Sequence, residues 1–316
     1  MDQPFYRQAG VDYSLLDPVK AMAMQIAAHA NTNIPSHLHH GVQYLRKSAG
    51  ESVALFRVPR ADMILAHQQE TLGTKNHAAD LMYEITGEEK WYYNVGYCAV
   101  AMILNDISTH GAQPFSTQMH LAAGDSEWFA DEARARALIQ GWADACFTAG
   151  SFYTGGETPT LKRLITPGKF VIDGSAVGVI APANRYINGP IEHGDVILLF
   201  DSSGLHANGL SACHQIAETL PEGYATKMPN DQMFGEAVLK RTVLYGPLVR
   251  MLLDDGIAIK YLANITGHAF EKVMRAKTAA TYIIERLPTP QLVFEFIQQQ
   301  ASLSAEEMYH TFNMGA

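Results

Sequence analysis

The sequence predicts a two-domain protein of mixed α+β and α/β character, divided near residue 181. Three observations carry that expectation. Apolar runs of strand length alternate with longer segments in which small and apolar residues recur at helical spacing. A turn-rich connector, APANRYINGPIEHGD (181–195), interrupts the pattern, which then restarts. The chain has 316 residues, 47% of them hydrophobic and 17% charged, enough for one large or two medium cores.

The elements follow in order. LLDPVKAMAMQIAAHA (15–30) predicts a helix, with Asp17 as N-cap and Pro18 at the first helical position. SVALFRV (52–58) and DMILAHQ (62–68) read as strands joined by a tight turn at PRA. WYYNVGYCAVAMILNDISTHG (91–111) reads as a buried helix that stops near Gly111. PFSTQMHLAAG (114–124) and FVIDGSAVGVIA (170–181) are strands. Between them, 126–150 is an amphipathic helix ending at Gly150. The second half is expected to open with the strand VILLFDSSG (196–204) and a helix from Leu210. A helix over 234–255, the strand-like IAIKYLANITG (257–267), a helix from Ala269 and the strand TYIIERLP (281–288) complete it. Glu306 and Glu307, after Ser304, suit the first turn of a last helix. No internal repeat and no low-complexity tract is visible.

Composition excludes some functions. The formal net charge is −9 and there is no long basic run, so the electrostatic footprint of a duplex nucleic-acid binder is missing. An acidic chain can still hold a phosphorylated small molecule, because backbone donors and metal ions do that work. The three cysteines (Cys98, Cys146, Cys213) are widely spaced and form no CxxC pair. They fit a reducing, cytoplasmic setting in which each is a small apolar residue. MDQPFYRQAG lacks the order of a signal peptide, and no run of about 18 apolar residues appears.

Four polar segments interrupt the apolar elements: ETLGTK (70–75), LNDISTHGAQP (104–114), GGETPT (155–160) and DSSGLHANG (201–209). Glu70 follows a strand, Asp106 sits within an apolar helix, and Glu157 follows Gly155 and Gly156. A carboxylate in an apolar helix costs several kcal/mol unless it is paired or bound to metal. Asp106 is either a capping or core hydrogen-bonded acid, or one of three carboxylates (Glu70, Asp106, Glu157) that converge on Mg²⁺. Gly73, Thr74 and Lys75 either contact phosphate or form an ordinary turn; the first glycine of a P-loop is missing. In SSGLHANG, backbone donors before a helix suit an anion or a polarised oxygen, and His206 suits acid, base or charge-stabilising work. The alternative is a strand-to-helix turn with an exposed histidine. SHLHH (36–40) crowds three histidines with no completing ligand and reads as a solvated loop.

Taken in order, AGVD (9–12), LGTK, AMILNDISTHGAQP, GGET, SSGLHANG, NITG (264–267) and MYHTFNMG (308–315) resemble aminoimidazole ribonucleotide synthetase, the phosphoribosylformylglycinamidine cyclo-ligase family of purine biosynthesis. The resemblance runs over essentially the whole chain. The ND…GA.P, GGET and SSG.H.NG segments belong to a wider ATP-using superfamily; AGVD and MYHTFNMG point more narrowly to the cyclo-ligase. The resemblance implies an N-terminal mixed-sheet domain (1–180) that dimerises through a β-barrel and a C-terminal α/β domain (181–316). It implies Mg²⁺ and ATP, a phosphorylated ribonucleotide substrate, and phosphoryl transfer to an amide oxygen followed by ring closure.

By match of motif, Glu70, Asp106 and Glu157 handle the metal, and Glu70, Gly73, Thr74, Lys75, Asn105, Asp106, Gly155 and Gly156 handle ATP. His206, Asn208 and Glu157 serve catalysis. The chain departs from the family pattern in four places. ETLGTK stands where the family has Asp-Gly-Val-Gly-Thr-Lys, so Glu70 replaces an aspartate and Thr71 a glycine. SAGES (48–52) stands for a glycine-rich segment. Thr-Gly-His-Ala (266–269) stands for the Thr-Gly-Gly-Gly taken to cradle substrate phosphate. The family continues with a strand and helix past FNMGA, which implies a shortened C-terminus. These changes keep two rival readings open: a paralogue that phosphorylates or ligates another small molecule, and a non-catalytic nucleotide-binding partner.

Overall fold

The computed structural model describes residues 41–48, 52–276 and 278–316, with seven scattered positions between Ser14 and Ile26. The helix expected over 15–30 therefore lies largely outside the described residues, as do AGVD, the histidines of SHLHH and most of SAGES.

Residues 43–180 build one six-stranded mixed sheet in the order β1-β2-β3-β6-β4-β5. Its strands are β1 (Gln43–Tyr44), β2 (Ala54–Val58), β3 (Met63–Thr71), β4 (Gln113–Ala123), β5 (Phe152–Glu157) and β6 (Phe170–Ile180). Every neighbouring pair is antiparallel except β4 and β5. That parallel pair needs a crossover, which the helix α3 (Glu132–Ala149) provides. The PRA turn between β2 and β3 forms as expected, a single 3₁₀ turn closed by Asp62 in the left-handed region.

Burial along β6 alternates strictly, so one face of the sheet packs on helices and the other stays half exposed. The covering layer is α1 (Lys75–Thr86), α2 (Lys90–Ser108) and α3. From Val95 onward α2 is buried on nearly all sides, as expected of a helix caught between a sheet and further structure. The α1 helix was not among the sequence expectations. Its buried side chains Ala78, Ala79 and Met82 do carry helical spacing, within a run of polar residues.

Helices α2 and α3 meet backbone to backbone. A Cβ on Gly96 would lie 2.0 Å from the Leu138 carbonyl oxygen, and one on Gly141 1.9 Å from that of Tyr93. The expected helix over 126–150 splits here, because Asp125 and Asp131 each cap a new start through their side chains.

The second half differs from expectation in its strands. Among the described residues, 196–204, 257–267 and 281–288 carry no ladder. A strand needs a partner for its backbone groups, and here those groups meet loops instead. Ser202 N–H donates to Gly315 O (2.8 Å), and Gly189 N–H to Lys260 O (2.6 Å). The helix expected over 234–255 breaks into α5 (Phe234–Val238) and α6 (Gly246–Asp254), with Pro247 in the first turn of α6. Proline disfavours helix at the residue before it and fits a first helical turn. Also present are α4 (Leu210–Thr219), α7 (Leu292–Ala301) and α8 (Ala305–Thr311). Ser304 and Glu307 close a reciprocal capping box on α8.

Gly141→Ala forces its methyl into backbone that cannot swing aside. The variant should lose about 1–3 kcal/mol or more of unfolding free energy, read as a lower urea midpoint with unchanged slope. An unchanged midpoint would mean that the helices part without cost.

Candidate active site

Glu70 lies inside a strand. β3 runs three residues further than the sequence suggested, with Glu70 opposite Gly174 and Thr71 opposite Asp173. Residues two apart on a strand share a face, so Gln68 and Glu70 both point to the helix side, where α2 passes. There Gln68 Nε2 donates to Glu70 Oε1 (3.0 Å) and to Asp106 Oδ2 (3.3 Å). Asn264 Nδ2 donates to the other oxygen, Asp106 Oδ1, at 2.7 Å. Two carboxylates from distant parts of the sequence thus share one amide donor. Burial pushes the Asp106 carboxyl above the usual range, opposed by the Lys272 charge, by Asn264 and Gln68, and by Arg275.

This donor set suits a hard divalent cation. Two carboxylates stand together, and two carboxamides beside them carry oxygens as well as N–H groups. Magnesium prefers such oxygen ligands and keeps several waters.

A second cluster lies where β3 gives way to α1. Lys75 is fully buried. Its Nζ donates to the carbonyl oxygens of His206 (2.5 Å) and Lys240 (2.6 Å). Thr74 O accepts from His214 Nε2 at 3.0 Å, and His214 Nδ1 meets Tyr224 Oη at 2.7 Å. Gly73 is left-handed (φ +75°) with open space around it. His206 is itself left-handed at φ +57°. Its Nε2 accepts from Ser203 N–H at 3.2 Å and, more loosely, from Val243 N–H at 3.5 Å. An accepting Nε2 leaves the ring proton on Nδ1. Burial, with help from the Lys75 ammonium, pushes the imidazole down to about 3, so it stays neutral at ordinary pH. Asn208 Nδ2 is buried and has no acceptor among the described residues.

The clusters are joined by Asn105. Its Oδ1 accepts from Tyr245 N–H and its Nδ2 donates to Val243 O, both at 2.8 Å. The segment that touches His206 is therefore pinned to the residue next to Asp106.

Glu157 stands apart from these groups within one chain. Thr71, Asp173, His120 and Glu157 lie in register across β3, β6, β4 and β5. Directly opposed residues share a face, and that face is the one opposite to Glu70. Three strand spacings of ~4.8 Å add further separation. No group of three His, Cys, Asp or Glu that could hold a metal occurs among the described residues. Gly156 has a local reason to be glycine, since a Cβ there would sit 1.7 Å from Met119 O. Gly155, by contrast, faces open space.

Gln68, Lys272 and Arg275 went unnoticed as sequence, and Asn264 and Asn313 were quoted within NITG and MYHTFNMG but given no role of their own. Gln68 was findable by strand parity with Glu70. The contact of Asn313 was not, because it is tertiary. Asn313 holds the SSG turn by accepting from Ser202 Oγ (3.2 Å) and donating to Gly204 O (2.9 Å).

The architecture is thus a mixed sheet backed by helices, with paired carboxylates at a strand end and a buried lysine opening the next helix, and the comparisons place it in the class related to AIR synthase. A family model described as AIR synthase related protein, N-terminal domain, matches residues 50–180. Phosphoribosylformylglycinamidine cyclo-ligase of Methanocaldococcus jannaschii is 32% identical over 98% of this chain and 82% of its own length. That of Geobacillus thermodenitrificans is 31% identical over 98% and 86%. The chain belongs to the phosphoribosylformylglycinamidine cyclo-ligase family. Among solved structures, the HypE-HypF complex is similar at TM-score 0.53 and 16% identity, over 92% of this chain and 82% of that one. AaThiL complexed with AMPPCP and TMP is similar at 0.51 and 13%, over 85% and 77%. Those two bear on the fold alone.

His206 generates a pH dependence of stability. Its folded pKa lies below the ordinary value of 6.5, so the unfolded chain binds the proton first. Stability from this group is complete above about pH 6.5 and declines as pH falls toward 3. Chemical denaturation at stepped pH should show that decline in the wild type and a flatter profile in His206→Gln. Parallel profiles would sink the assignment.

Proposed function

We propose that the chain is an ATP-dependent cyclo-ligase that converts formylglycinamidine ribonucleotide to aminoimidazole ribonucleotide in the cytoplasm. The observation that carries this reading is the meeting of Glu70 and Asp106 on one amide donor, in a chain whose relatives of similar length are cyclo-ligases.

In this reading Glu70 and Asp106 hold Mg²⁺, with the oxygens of Gln68 and Asn264 available after an amide turn. Magnesium when bound supplies charge neutralisation for the phosphates of ATP. The protein's own share is positioning. Gly73 and Thr74 present open backbone at the start of α1 to those phosphates. Lys75 contributes its charge from inside the loop that carries His206. The neutral His206 Nδ1–H and the unpaired Asn208 Nδ2 donate to the amide oxygen as it takes the phosphoryl group. ADP leaves, an amidine nitrogen attacks the activated carbon, and phosphate departs as the imidazole ring closes. Gly155 and Gly156 support Glu157, which acts from the opposite face of the sheet.

We also assign the chain two units, 1–180 and 181–316, and a homodimer. The uncovered sheet face supports the dimer: Phe56, Leu65 and Val179 are in register there, and Phe152 of the edge strand β5 is 75% exposed. Apolar patches of that kind mark interaction surfaces. Sedimentation should report twice the chain mass of 34.7 kDa, and Val179→Arg should halve it. A monomeric wild type would defeat the assignment.

Purified protein given Mg-ATP and formylglycinamidine ribonucleotide should release one ADP per imidazole formed. Asp106→Asn should remove that activity by about a thousandfold or more while its metal-free fold becomes more stable, because a costly buried charge is gone. ATP turnover that ignores this substrate would favour a paralogue. Full activity in Asp106→Asn would show the metal site to be elsewhere.

A further inference from the structure

The second half of the chain grips the head of α1 at two successive residues. Lys75 is gripped by its side chain, Thr74 by its carbonyl oxygen. That oxygen accepts from His214 Nε2 and from His77 N–H, each at 3.0 Å. His214 lies on α4, the helix that follows the His206 loop. Its ring state is set by its partners. Thr74 O can only accept, so Nε2 carries the proton, and Nδ1 accepts from the Tyr224 hydroxyl at 2.7 Å. Tyr224 sits in the 3₁₀ turn Gly223–Ala225 and is 2% exposed. Its ring stacks on Phe234, with centroids 5.6 Å and planes 18° apart. The hydroxyl is therefore presented from a fixed place.

Burial lowers the His214 pKa and the neighbouring His77 adds to this, against the bond to Thr74 and the Glu218 charge. Burial lowers that of His77 as well, whose ring centroid lies 5.0 Å away. Two neutral rings thus stand side by side at ordinary pH, and the neutral form of His214 is the one both of its bonds need. The carbonyl and N–H of a planar trans peptide point opposite ways. Fixing the Thr74 carbonyl toward α4 therefore aims the Lys75 N–H the other way. That N–H is one of the four at a helix start that have no acceptor within the helix. Gly73, with open space around it, precedes them.

We propose that His214, oriented by Tyr224, is a positioning residue for the nucleotide: by holding the Thr74–Lys75 peptide it keeps the N–H groups at the head of α1 turned toward the phosphates. That these amides meet ATP rests on the reading of Gly73 and Thr74 given above; the bond from His214 does not. The ring touches no reacting atom and acts only through the peptide it holds. A bolt that served stability alone would make the same contacts, but it would not single out the nucleotide. Loss of the bond leaves the Thr74 oxygen with the His77 N–H, so the peptide loosens without coming free.

Two measurements test this. First, the non-hydrolysable analogue β,γ-imido-ATP is titrated into the protein by calorimetry with Mg²⁺ and no second substrate. His214→Leu alone would strand the Tyr224 hydroxyl in the core, so the variant is His214→Leu/Tyr224→Phe, which removes both partners together. It should bind the analogue about threefold to tenfold more weakly, the range of one neutral hydrogen bond. His214→Gln carries an amide nitrogen to about the place of Nε2 and should recover wild-type binding. Second, steady-state kinetics should show KM for Mg-ATP rising by a similar factor in the double variant, with kcat and KM for formylglycinamidine ribonucleotide unchanged, and His214→Gln restoring it. Urea midpoints establish that the variants are folded. A double variant that binds the analogue as tightly as the wild type overturns the proposal, as does a loss that His214→Gln fails to recover. A rise in both KM values, or a fall in kcat alone, overturns it too and marks a bolt between the two halves. A wild type that binds no analogue also overturns it. Binding of the analogue that depends on His214, with no substrate-dependent ADP release, would leave the role of His214 standing and remove the cyclo-ligase reading.

Discussion

The rest of the site depends on where the charge of Lys75 goes. An ammonium removed from water costs several kcal/mol unless strong acceptors replace the solvent. Here those acceptors are the carbonyls of His206 and Lys240, 131 and 165 positions along the chain. The start of α1 is thereby fixed to two loops of the second half. The same contact explains the unusual backbone of His206, because a left-handed residue turns its carbonyl toward the lysine. It adds to what burial already does to the ring: the buried imidazole stays neutral, the nearby ammonium reinforces that, and Nε2 accepts. One buried cation thus organises an adjoining loop.

A second constraint is steric. Helices α2 and α3 touch backbone to backbone at Gly96 and Gly141, and α2 lies close to the sheet at Gly178 of β6, where a Cβ would sit 2.7 Å from the Ile107 side chain. Asp106 comes near the C-terminal end of α2, Glu70 near that of β3. Their meeting follows from the lengths of two rigid elements and not from a flexible loop. That rigidity matters for the glutamate that replaces aspartate. Its extra methylene would displace an oxygen carried on a loop, but in a strand with Gln68 bracing it the longer side chain reaches a fixed partner.

Much of this was legible in the sequence. The strands β2, β3, β4 and β6 and the helix α2 were readable because each has one face or all faces in the core, and periodicity reports burial. Asp106 stood out for the same reason, as a charge in an apolar helix. The three unformed strands of the second half show the limit of that signal: Val196, Leu198 and Ile283 are apolar yet exposed, and an apolar run says nothing about whether a partner strand exists. Contacts that join distant segments, such as Asn105 to Val243 and Tyr245 or Asn313 to the SSG turn, leave no local trace. The buried state of Lys75 was hidden likewise, because the sequence records a lysine after Gly-Thr but not the two carbonyls that enclose it.

The position of Glu157 gives the last step. On its own chain it shares a sheet face with His120 and Asp173, the latter two joined at 3.0 Å, while the carboxylate pair lies on the other face. A strand ladder is stiff, and moving Glu157 across it would require reversing the pleat of β5. Gly156 forbids any such change cheaply, because β5 and β4 already approach too closely there for a Cβ. The acid therefore stands at the uncovered face, and in the proposed reading a metal would be held within one chain by Glu70 and Asp106 with their two amide neighbours. The two faces of one sheet therefore differ: the helix side gathers a carboxylate pair with its amide neighbours, and the open side presents apolar rows edged by a carboxylate.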